Sequence, residues 1–550
     1  MTRNKLLISC SFALDTISQL DRDTSTALAT IREWRNSFAP INRIPLDILS
    51  LIPEQLLPQE RLRVTFVCRH WRRAFLQHGT LWSRISLHKG EAYTKTLLER
   101  AKGSTLDVSI NQDVPISTMA LLSPRTHQIE CLAFKDTPCL EAVRRFSEVN
   151  SGPLPFLRTL IVELTDPTNM RNQPVMPTPP PFFSNAVNLE QFSFHANRLR
   201  SLNQFVFPNL TVFSLLVRTV PGSNTSGLFH FLKASPLLQS VQINVIDEIF
   251  LEEIDQEVPI LLPHVKTFVL RMYGSSNVYS TAARISCPHA RYTSLTCNIT
   301  DTDMWPEREV FPTPDLTNTI VHQYAKGPVE EVTLEMSSIL EQCCSLTFRS
   351  PDASTVKLVF EVSAEVSAIS EEDGLDMTFE EIAREGFCQG IGTIRDHPQL
   401  SHVKRLHIRH RDVTLDAYHM FFMTYKVEEL FESVGPLDEL TINGCDIRIY
   451  FPAMLGEPYG SQRGRIAFPS IKTLTILHPS MEEHEEECMN VIVELAKLQH
   501  TKGIPFERVT VRAEALLAAM EDRLRPWVGI ADCCEEVRPW ETLLRSPNVE

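Results

Sequence analysis

The chain has 550 residues, more than one hydrophobic core usually serves, so two or more folding units are expected. Hydrophobic residues make up 43% and charged residues 22% of the sequence, which is a globular composition and not a disordered one. The formal net charge of -15 argues against a nucleic-acid binder, because such a protein needs a concentrated Lys/Arg surface. Proteins, and basic ones above all, are the expected partners.

The 13 cysteines contain no CxxC pair, so we expect reduced, largely buried thiols in a cytoplasmic or nuclear protein. No apolar run reaches the roughly 18 residues that a membrane helix needs. Arg3 and Lys5 precede the apolar run Leu6–Leu14, which faintly resembles a secretory signal, but Ser9 and Ser11 interrupt it. Secretion therefore stays the alternative, and a short helix or a disordered start is the expectation.

Residues 16–38, within an N-terminal segment 1–40, are predicted to be helical. Leu20, Ala27, Ile31, Trp34 and Phe38 follow one another at helical spacing and form one apolar stripe. We expect this helix to pack on the next unit. A short coiled-coil dimer is the alternative, since three heptads are the minimum for one.

Residues 41–87 contain three apolar clusters that predict three short helices. The first begins near Pro45, a position where proline is tolerated, and the third carries Val67, Trp71, Ala74 and Phe75 on one face. Three short helices cannot bury this much apolar surface by themselves. The excess predicts that a partner covers part of it.

The pattern Ile-Pro-x-Asp-Ile-Leu, followed further on by Val-Cys-Arg-x-Trp-Arg, resembles the F-box. The resemblance implies that these helices bind a Skp-type adaptor, which in turn binds a cullin. The adaptor-binding positions that it implies are Ile44, Pro45, Ile48, Leu49, Ile52, Leu56, Val67, Cys68 and Trp71. Ile44 replaces the leucine that is usual in the family, and Pro53 predicts that the first helix ends or bends there.

Five arginines make this segment basic within an acidic chain; they are Arg61, Arg63, Arg69, Arg72 and Arg73. A solvated helix face is the expected reason. Electrostatic steering toward an acidic adaptor is the alternative.

Beyond residue 90 a short phrase recurs: a proline, an apolar residue one or two places on, and apolar residues three and five places further. It occurs at 155–162, 208–215, 236–243, 263–270, 328–334, 436–442, 469–476 and 505–511. Relatives without proline lie at 187–194, 403–408 and 129–134. Each phrase predicts a turn that leads into a short strand with one buried face.

The leading residues 210, 238 and 265 lie 28 and 27 apart, whereas those at 403, 437, 471 and 506 lie 34 or 35 apart. Such spacing fits strands that alternate with helices, and Ser480–His500 is predicted as one of these helices. The predicted fold class is therefore α/β: a three-helix F-box followed over 88–550 by an irregular leucine-rich-repeat-like solenoid. This arrangement resembles F-box proteins of fungal type. An independent α/β domain with a mixed sheet is the alternative, because only Cys445 closes a repeat in good register.

Two segments break the repeats. Pro174–Pro181 is predicted to be a loop, and residues 361–396 are predicted to be an insertion that helps to bind partners.

No GxSxG, HExxH, phosphate-loop or EF-hand pattern occurs, so we expect no enzyme activity and no cofactor. His402, His407 and His410 lie close in sequence, but His407 and His410 would face opposite sides of a strand, so no metal is expected there.

The sequence thus predicts the substrate-recognition subunit of a cullin-based (SCF-type) ubiquitin ligase, which binds a Skp-type adaptor and a target protein. The alternative is a non-catalytic repeat scaffold whose F-box-like helices only cap the solenoid.

Overall fold

A computed structural model gives the structure of the chain. The residues that it describes are 2–45, 48–49, 51–52, 56, 58–111, 114–137, 141–150, 152–164, 186–196, 202, 205–217, 226–245, 259–273, 275–299, 320, 323–324, 328–337, 343–362, 402–411, 437–444, 471–477, 485–512 and 517–532. The predicted loop Pro174–Pro181, Cys445 and nearly all of the predicted insertion 361–396 lie outside them.

Helices and strands alternate along most of these residues. The helices are α1 (Thr2–Ser37), α2 (Pro58–Val64), α3 (Arg69–Gln77), α4 (Glu91–Ala101), α5 (Ile116–Ala120), α6 (Glu141–Val149), α7 (Ser226–Lys233), α8 (Ser275–Ala283), α9 (Glu485–Thr501) and α10 (Leu517–Leu524). The first strands are β1 (Arg84–Ser86), β2 (Leu106–Asn111), β3 (Ile129–Thr137), β4 (Thr159–Leu164), β5 (Gln191–Ala196), β6 (Val212–Val217), β7 (Ser240–Val245), β8 (Ile260–Leu261), β9 (Thr267–Tyr273) and β10 (Ile285–Ser286). The remaining strands are β11 (Tyr292–Ile299), β12 (Glu331–Ser337), β13 (Cys343–Arg349), β14 (Thr355–Val362), β15 (Arg405–Arg411), β16 (Glu439–Asn443), β17 (Thr473–Leu477), β18 (Arg508–Arg512) and β19 (Ile530–Asp532).

The chain forms two compact units, the first of residues 1–170 and 180–189, the second of 171–179 and 190–550. The first unit holds the N-terminal helices and the parallel strands β1 to β4, which pair in sequence order. Helices α4, α5 and α6 connect these strands, as parallel neighbours require a crossover connection. The alternating side chains of Leu106, Val108 and Ile110 on β2 are fully buried.

The second unit is built on one large, mostly parallel sheet. Its strands pair in the order β5-β6-β7-β9-β11-β14-β13-β12-β15-β16-β17-β18-β19. The short strands β8 and β10 pair separately in parallel. The general prediction of an α/β fold is therefore confirmed.

Each recurring phrase leads into a strand, as predicted, and in the first four of them a turn precedes the strand. In the phrase at 208–215, the leading Leu210 and the later Phe213 and Leu215 are buried, and the same three positions are buried in the others. Phe213 pairs in register with Val241, which pairs with Phe268, so equivalent side chains form continuous rows through the core. Near β6 the core is aromatic, and the rings of Phe213 and Phe231 lie 4.5 Å apart.

One part of the sheet runs against the sequence order. Strands β12, β13 and β14 form an antiparallel meander whose order in the sheet is the reverse of their order in the chain. As a result, β14 pairs with β11 and β12 pairs with β15. The connection from β13 to β14 is only five residues long, 350–354, which is too short for a parallel crossover. The Asp352 carboxylate accepts hydrogen bonds from the backbone N–H and the hydroxyl of Ser354 and so stabilises this turn. The sheet is therefore mixed, because β13 runs antiparallel to both of its neighbours.

The two helix predictions are confirmed in place and type, since α1 contains residues 16–38 except for Phe38 and α9 covers most of 480–500. The expectation that α1 packs on the next unit through its apolar stripe is wrong, because the stripe is exposed in the structure. Among the described residues, no helix is long and apolar enough to cross a membrane.

Candidate functional site

The segment 41–88 begins with a helical turn at the position where the sequence predicts one. The backbone N–H of Leu49 donates to the carbonyl oxygen of Pro45 at 2.9 Å, and residues 48–49 and 51–52 are helical. Leu49 is fully buried, whereas Ile48 is exposed. Successive helical residues point about 100° apart, so the first helix turns Leu49 inward and Ile48 outward. Pro53, and with it the predicted end or bend, lies outside the described residues.

Aromatic side chains hold the third helix of the segment in place. The rings of Trp71 and Phe75 meet edge to face at 5.4 Å on α3, and Phe75 is buried. The indole N–H of Trp82 donates to the carbonyl oxygen of Phe75 at 2.8 Å, which satisfies the one polar group of a buried tryptophan. Trp82 also lies under the guanidinium of Arg100 on α4, 4.8 Å from its ring centre. The segment is thus attached to the beginning of the sheet of its own unit.

The arginines of the segment do not all form a solvated face, and the expectation is wrong for Arg61. Its side chain is buried, and it donates from Nε to the carbonyl oxygen of Leu56 at 3.0 Å and from Nη1 to that of Leu81 at 3.3 Å. Arg72 donates to the carbonyl oxygen of Thr65 at 2.9 Å. Both guanidinium groups therefore hold turns of the segment in place.

The exposed surface of the segment is strongly apolar. The fraction of the side chain open to solvent is 50% for Ile48, 52% for Leu51, 73% for Phe66 and 62% for Val67. The guanidinium of Arg72 lies 5.6 Å from the ring centre of Phe66, a cation–π contact that favours the observed position of this exposed ring. Large apolar side chains exposed this close together in sequence mark a surface that a partner covers.

The structure divides the predicted adaptor-binding residues into three groups. Leu49 is buried; the half-buried residues are Ile44, Ile52, Leu56, Cys68 and Trp71; the exposed ones are Pro45, Ile48 and Val67. Leu51 and Phe66 are exposed beside them and were missing from the predicted set. Of these two, Phe66 is the more exposed.

The second unit offers a polar surface on the face of the sheet opposite its core. Glu331 on β12 lies between two arginines in register, Arg349 on β13 and Arg405 on β15. Its carboxylate contacts Nη1 of Arg349 at 2.8 Å and Nε of Arg405 at 3.3 Å. His407 is buried beside it, with Nε2 at 3.9 Å from the same carboxylate. This surface carries charges of both signs that are already paired with one another.

Burial determines the protonation of His407. It holds the pKa of the imidazole below its ordinary value, against the opposing effect of the Glu331 carboxylate. The Nδ1 atom of His407 is buried and has no hydrogen-bond partner. A neutral imidazole therefore lies under the Arg349–Glu331–Arg405 row.

At the beginning of the strands, charges alternate in sign from one strand to the next. Lys404 contacts Glu330 at 3.1 Å, and Lys472 contacts Asp438 at 2.7 Å, each pair joining neighbouring strands. Each pair joins opposite charges across neighbouring strands in the observed register, and such exposed pairs contribute little to stability. Within the described parts of the chain, no three His, Cys, Asp or Glu side chains come together as a metal site.

Comparison with known families matches residues 41–88 to the F-box-like domain. No curated protein matches the sequence of the chain. The matched range coincides with the segment that exposes Ile48, Leu51, Phe66 and Val67. Residues 41–88 of this chain are an F-box-like domain.

Proposed function

We propose that the chain is the substrate-recognition subunit of an SCF-type ubiquitin ligase in the cytoplasm or nucleus. In this assembly the F-box-like domain binds a Skp-type adaptor, and through it a cullin, while the second unit holds a target protein. The exposed apolar surface of the F-box-like domain is the observation that carries the proposal.

The apolar surface suits a permanent partner better than solvent. Fully covering a large aliphatic or aromatic side chain stabilises an interface by about 1.5–3 kcal/mol, and the described residues of the domain include four that are exposed. The buried Leu49, Phe75 and Arg61 keep the helices in place without using this surface. We assign Pro45, Ile48, Leu51, Phe66 and Val67 to direct adaptor contact, and the half-buried positions to support beneath them.

We propose that the second unit is an irregular leucine-rich-repeat-like solenoid whose sheet presents the target. The recurring phrases, with leading residues 27 to 35 apart, support this, and the reversed meander of β12 to β14 explains part of the irregularity. The polar face around Glu331 and Arg405 would recognise the target by hydrogen bonds and ion pairs. No residue of the chain would perform chemistry, because the rate gain comes from holding the target near the ubiquitin-charged enzyme.

Co-purification from cells tests the proposal. The tagged full chain should capture a Skp-type adaptor and a cullin, and the variant Ile48→Asp/Val67→Asp should capture neither. Proteins bound through the sheet should accumulate on this variant, since it holds targets without delivering them. Failure of the wild type to capture the adaptor contradicts the proposal.

One observation favours the alternative of a scaffold in which the F-box-like helices cap the sheet. Trp82 and Arg100 join these helices to α4, and a Cβ atom at Gly79 would lie 2.5 Å from the Ala101 carbonyl oxygen, so the two parts pack closely. The scaffold hypothesis predicts that a fragment of residues 91–550 is insoluble and that no adaptor binds. Adaptor capture by the full chain would exclude it as the whole function.

A further inference from the structure

The helix α1 exposes a long apolar stripe that its own unit does not cover. Its large apolar residues from Leu14 onward, and Phe38 just beyond its end, are between 48% and 67% open to solvent. They are Leu14, Ile17, Leu20, Leu28, Ile31, Trp34 and Phe38. These positions lie three or four apart, apart from a gap between Leu20 and Leu28, and so share one face of the helix.

The helix contacts the F-box-like domain through the opposite face. Glu33 forms an ion pair with Arg69 of α3 at 3.3 Å, and Ala29 and Asn36 are half-buried. Residues 29, 33 and 36 lie four and three apart, and at 100° per residue their direction is roughly opposite to that of the stripe. The stripe is therefore turned away from the domain on which α1 sits.

We infer that α1 pairs with α1 of a second copy of this chain as an antiparallel two-stranded coiled coil. If each of the seven exposed side chains buries about 100 Å² of surface, the two copies together bury roughly 1,400 Å², which is the size of a stable protein interface. The stripe also follows a heptad repeat, which has two core positions. Leu14, Asp21 and Leu28 occupy one of them, and Ile17, Thr24 and Ile31 occupy the other.

The sequence of the stripe is self-complementary in only one direction. When the copies run antiparallel about a centre between Arg22 and Asp23, Leu14 meets Ile31 of the second copy and Ile17 meets its Leu28. The polar core residues then pair with each other. Asp21 of each copy meets Thr24 of the other copy, which gives two adjacent polar layers in the core. A parallel pair would instead place the two Asp21 carboxylates directly opposite each other, which like-charge repulsion disfavours.

The residues that flank the core fit the same register. Trp34, the largest side chain of the stripe, comes beside Ala13 of the second copy, and Leu20 comes beside Ala27. Large residues thus face small ones along one edge of the seam, as close packing of two helices requires. A polar layer in an otherwise apolar seam is a known means of fixing the register of a coiled coil, at some cost in stability.

The antiparallel arrangement has a consequence for what the dimer presents. Phe38 of one copy aligns with residue 7 of the other, so the two F-box-like domains begin roughly 45 Å apart along the coiled coil, at 1.5 Å per residue. A dimer would hold one target through two sheets, which raises its avidity without a new contact.

Sedimentation equilibrium of the full chain at micromolar concentration tests the pairing. The wild type should have twice the mass of one chain, and Ile17→Asp/Leu28→Asp should have the mass of one. The control Thr26→Asp, which changes an exposed residue on the opposite face, should remain dimeric. A monomeric wild type overturns the inference and assigns the stripe to a different protein, and a dimer that survives Ile17→Asp/Leu28→Asp overturns it as well.

Introduced charge pairs test whether the two α1 helices run antiparallel, and this test does not depend on a variant that fails to fold. Ser18 and Ser25 are exposed, and they face each other across the seam only in the antiparallel register. The variant Ser18→Glu/Ser25→Lys should dimerise about fivefold more tightly than the wild type, from two ion pairs of about 0.5 kcal/mol each. The variant Ser18→Glu/Ser25→Glu should dimerise more weakly. Equal affinities for the two variants would contradict the antiparallel register.

Discussion

The guanidinium of Arg61 reaches the carbonyl oxygen of Leu81 at 3.3 Å and so ties the second helix of the F-box-like domain to the turn before β1. The two residues are 20 positions apart, and both are buried. A basic residue in a helical F-box segment thus holds the domain onto the sheet that follows it.

Replacing Arg61 should loosen the F-box-like domain. Arg61→Met removes two charge-assisted hydrogen bonds and leaves two carbonyl oxygens without this donor, at a cost of about 2 kcal/mol in local stability. The amides of α2 and α3 should then exchange with solvent faster in the full chain. Arg63→Met, which changes an exposed neighbour on the same helix, should leave the exchange rates unchanged.

Gly79 should tolerate no side chain. A Cβ atom there would lie 2.5 Å from both the Ala101 carbonyl oxygen and the Ser104 hydroxyl, and the carbonyl cannot move without its helix. Gly79→Ala should destabilise the first unit by about 1–3 kcal/mol. At Gly103 a Cβ atom would meet nothing within 4 Å, so Gly103→Ala is the matched control. Denaturant unfolding compares the two, and equal midpoints would contradict the observed packing.

The stability of the second unit should fall in mild acid because of His407. Burial holds the pKa of His407 in the folded protein below its ordinary value of 6.5, so the unfolded chain takes up the proton first. The contribution of His407 to the free energy of unfolding should therefore be fully present above pH 6.5. It should decrease below that pH, by at most about 1.4 kcal/mol per pH unit. His407→Gln should remove this part of the decrease, and His402→Gln, at an exposed position, should retain it. Denaturant unfolding from neutral pH to about pH 5 measures both.

The sequence predicted the strands well where their buried positions carry large apolar residues. It missed β11, because Ala290 and Thr293 take the buried positions that are Val, Ile, Leu or Phe elsewhere. It missed the reversed meander because the phrase specifies which face of a strand is buried and not which strand becomes its neighbour. The antiparallel pairing of β13 with β14 follows from their short connection, 350–354, once the bounds of both strands are known.

The sequence predicted which segment forms the candidate site but not which of its side chains face solvent. Ile48 and Leu49 are adjacent and equally apolar, so the sequence could not show which of them faces the core. Phe66 presented the same ambiguity. The stripe of α1 was predicted from its spacing, whereas its exposure was not, because spacing alone does not show whether another element covers the stripe.

Binding of a purified Skp-type adaptor to the full chain tests the proposed role of the F-box-like domain, because it isolates the contribution of the exposed apolar surface. Ile48 and Ile116 are 50% and 51% exposed in the same unit, so Ile48→Asp and Ile116→Asp form a matched pair. Titration calorimetry should show tight binding for the wild type and for Ile116→Asp, and binding at least about 100-fold weaker for Ile48→Asp, as expected for a central interface residue. Absence of binding by the wild type, or equal affinities for the two variants, would contradict the account.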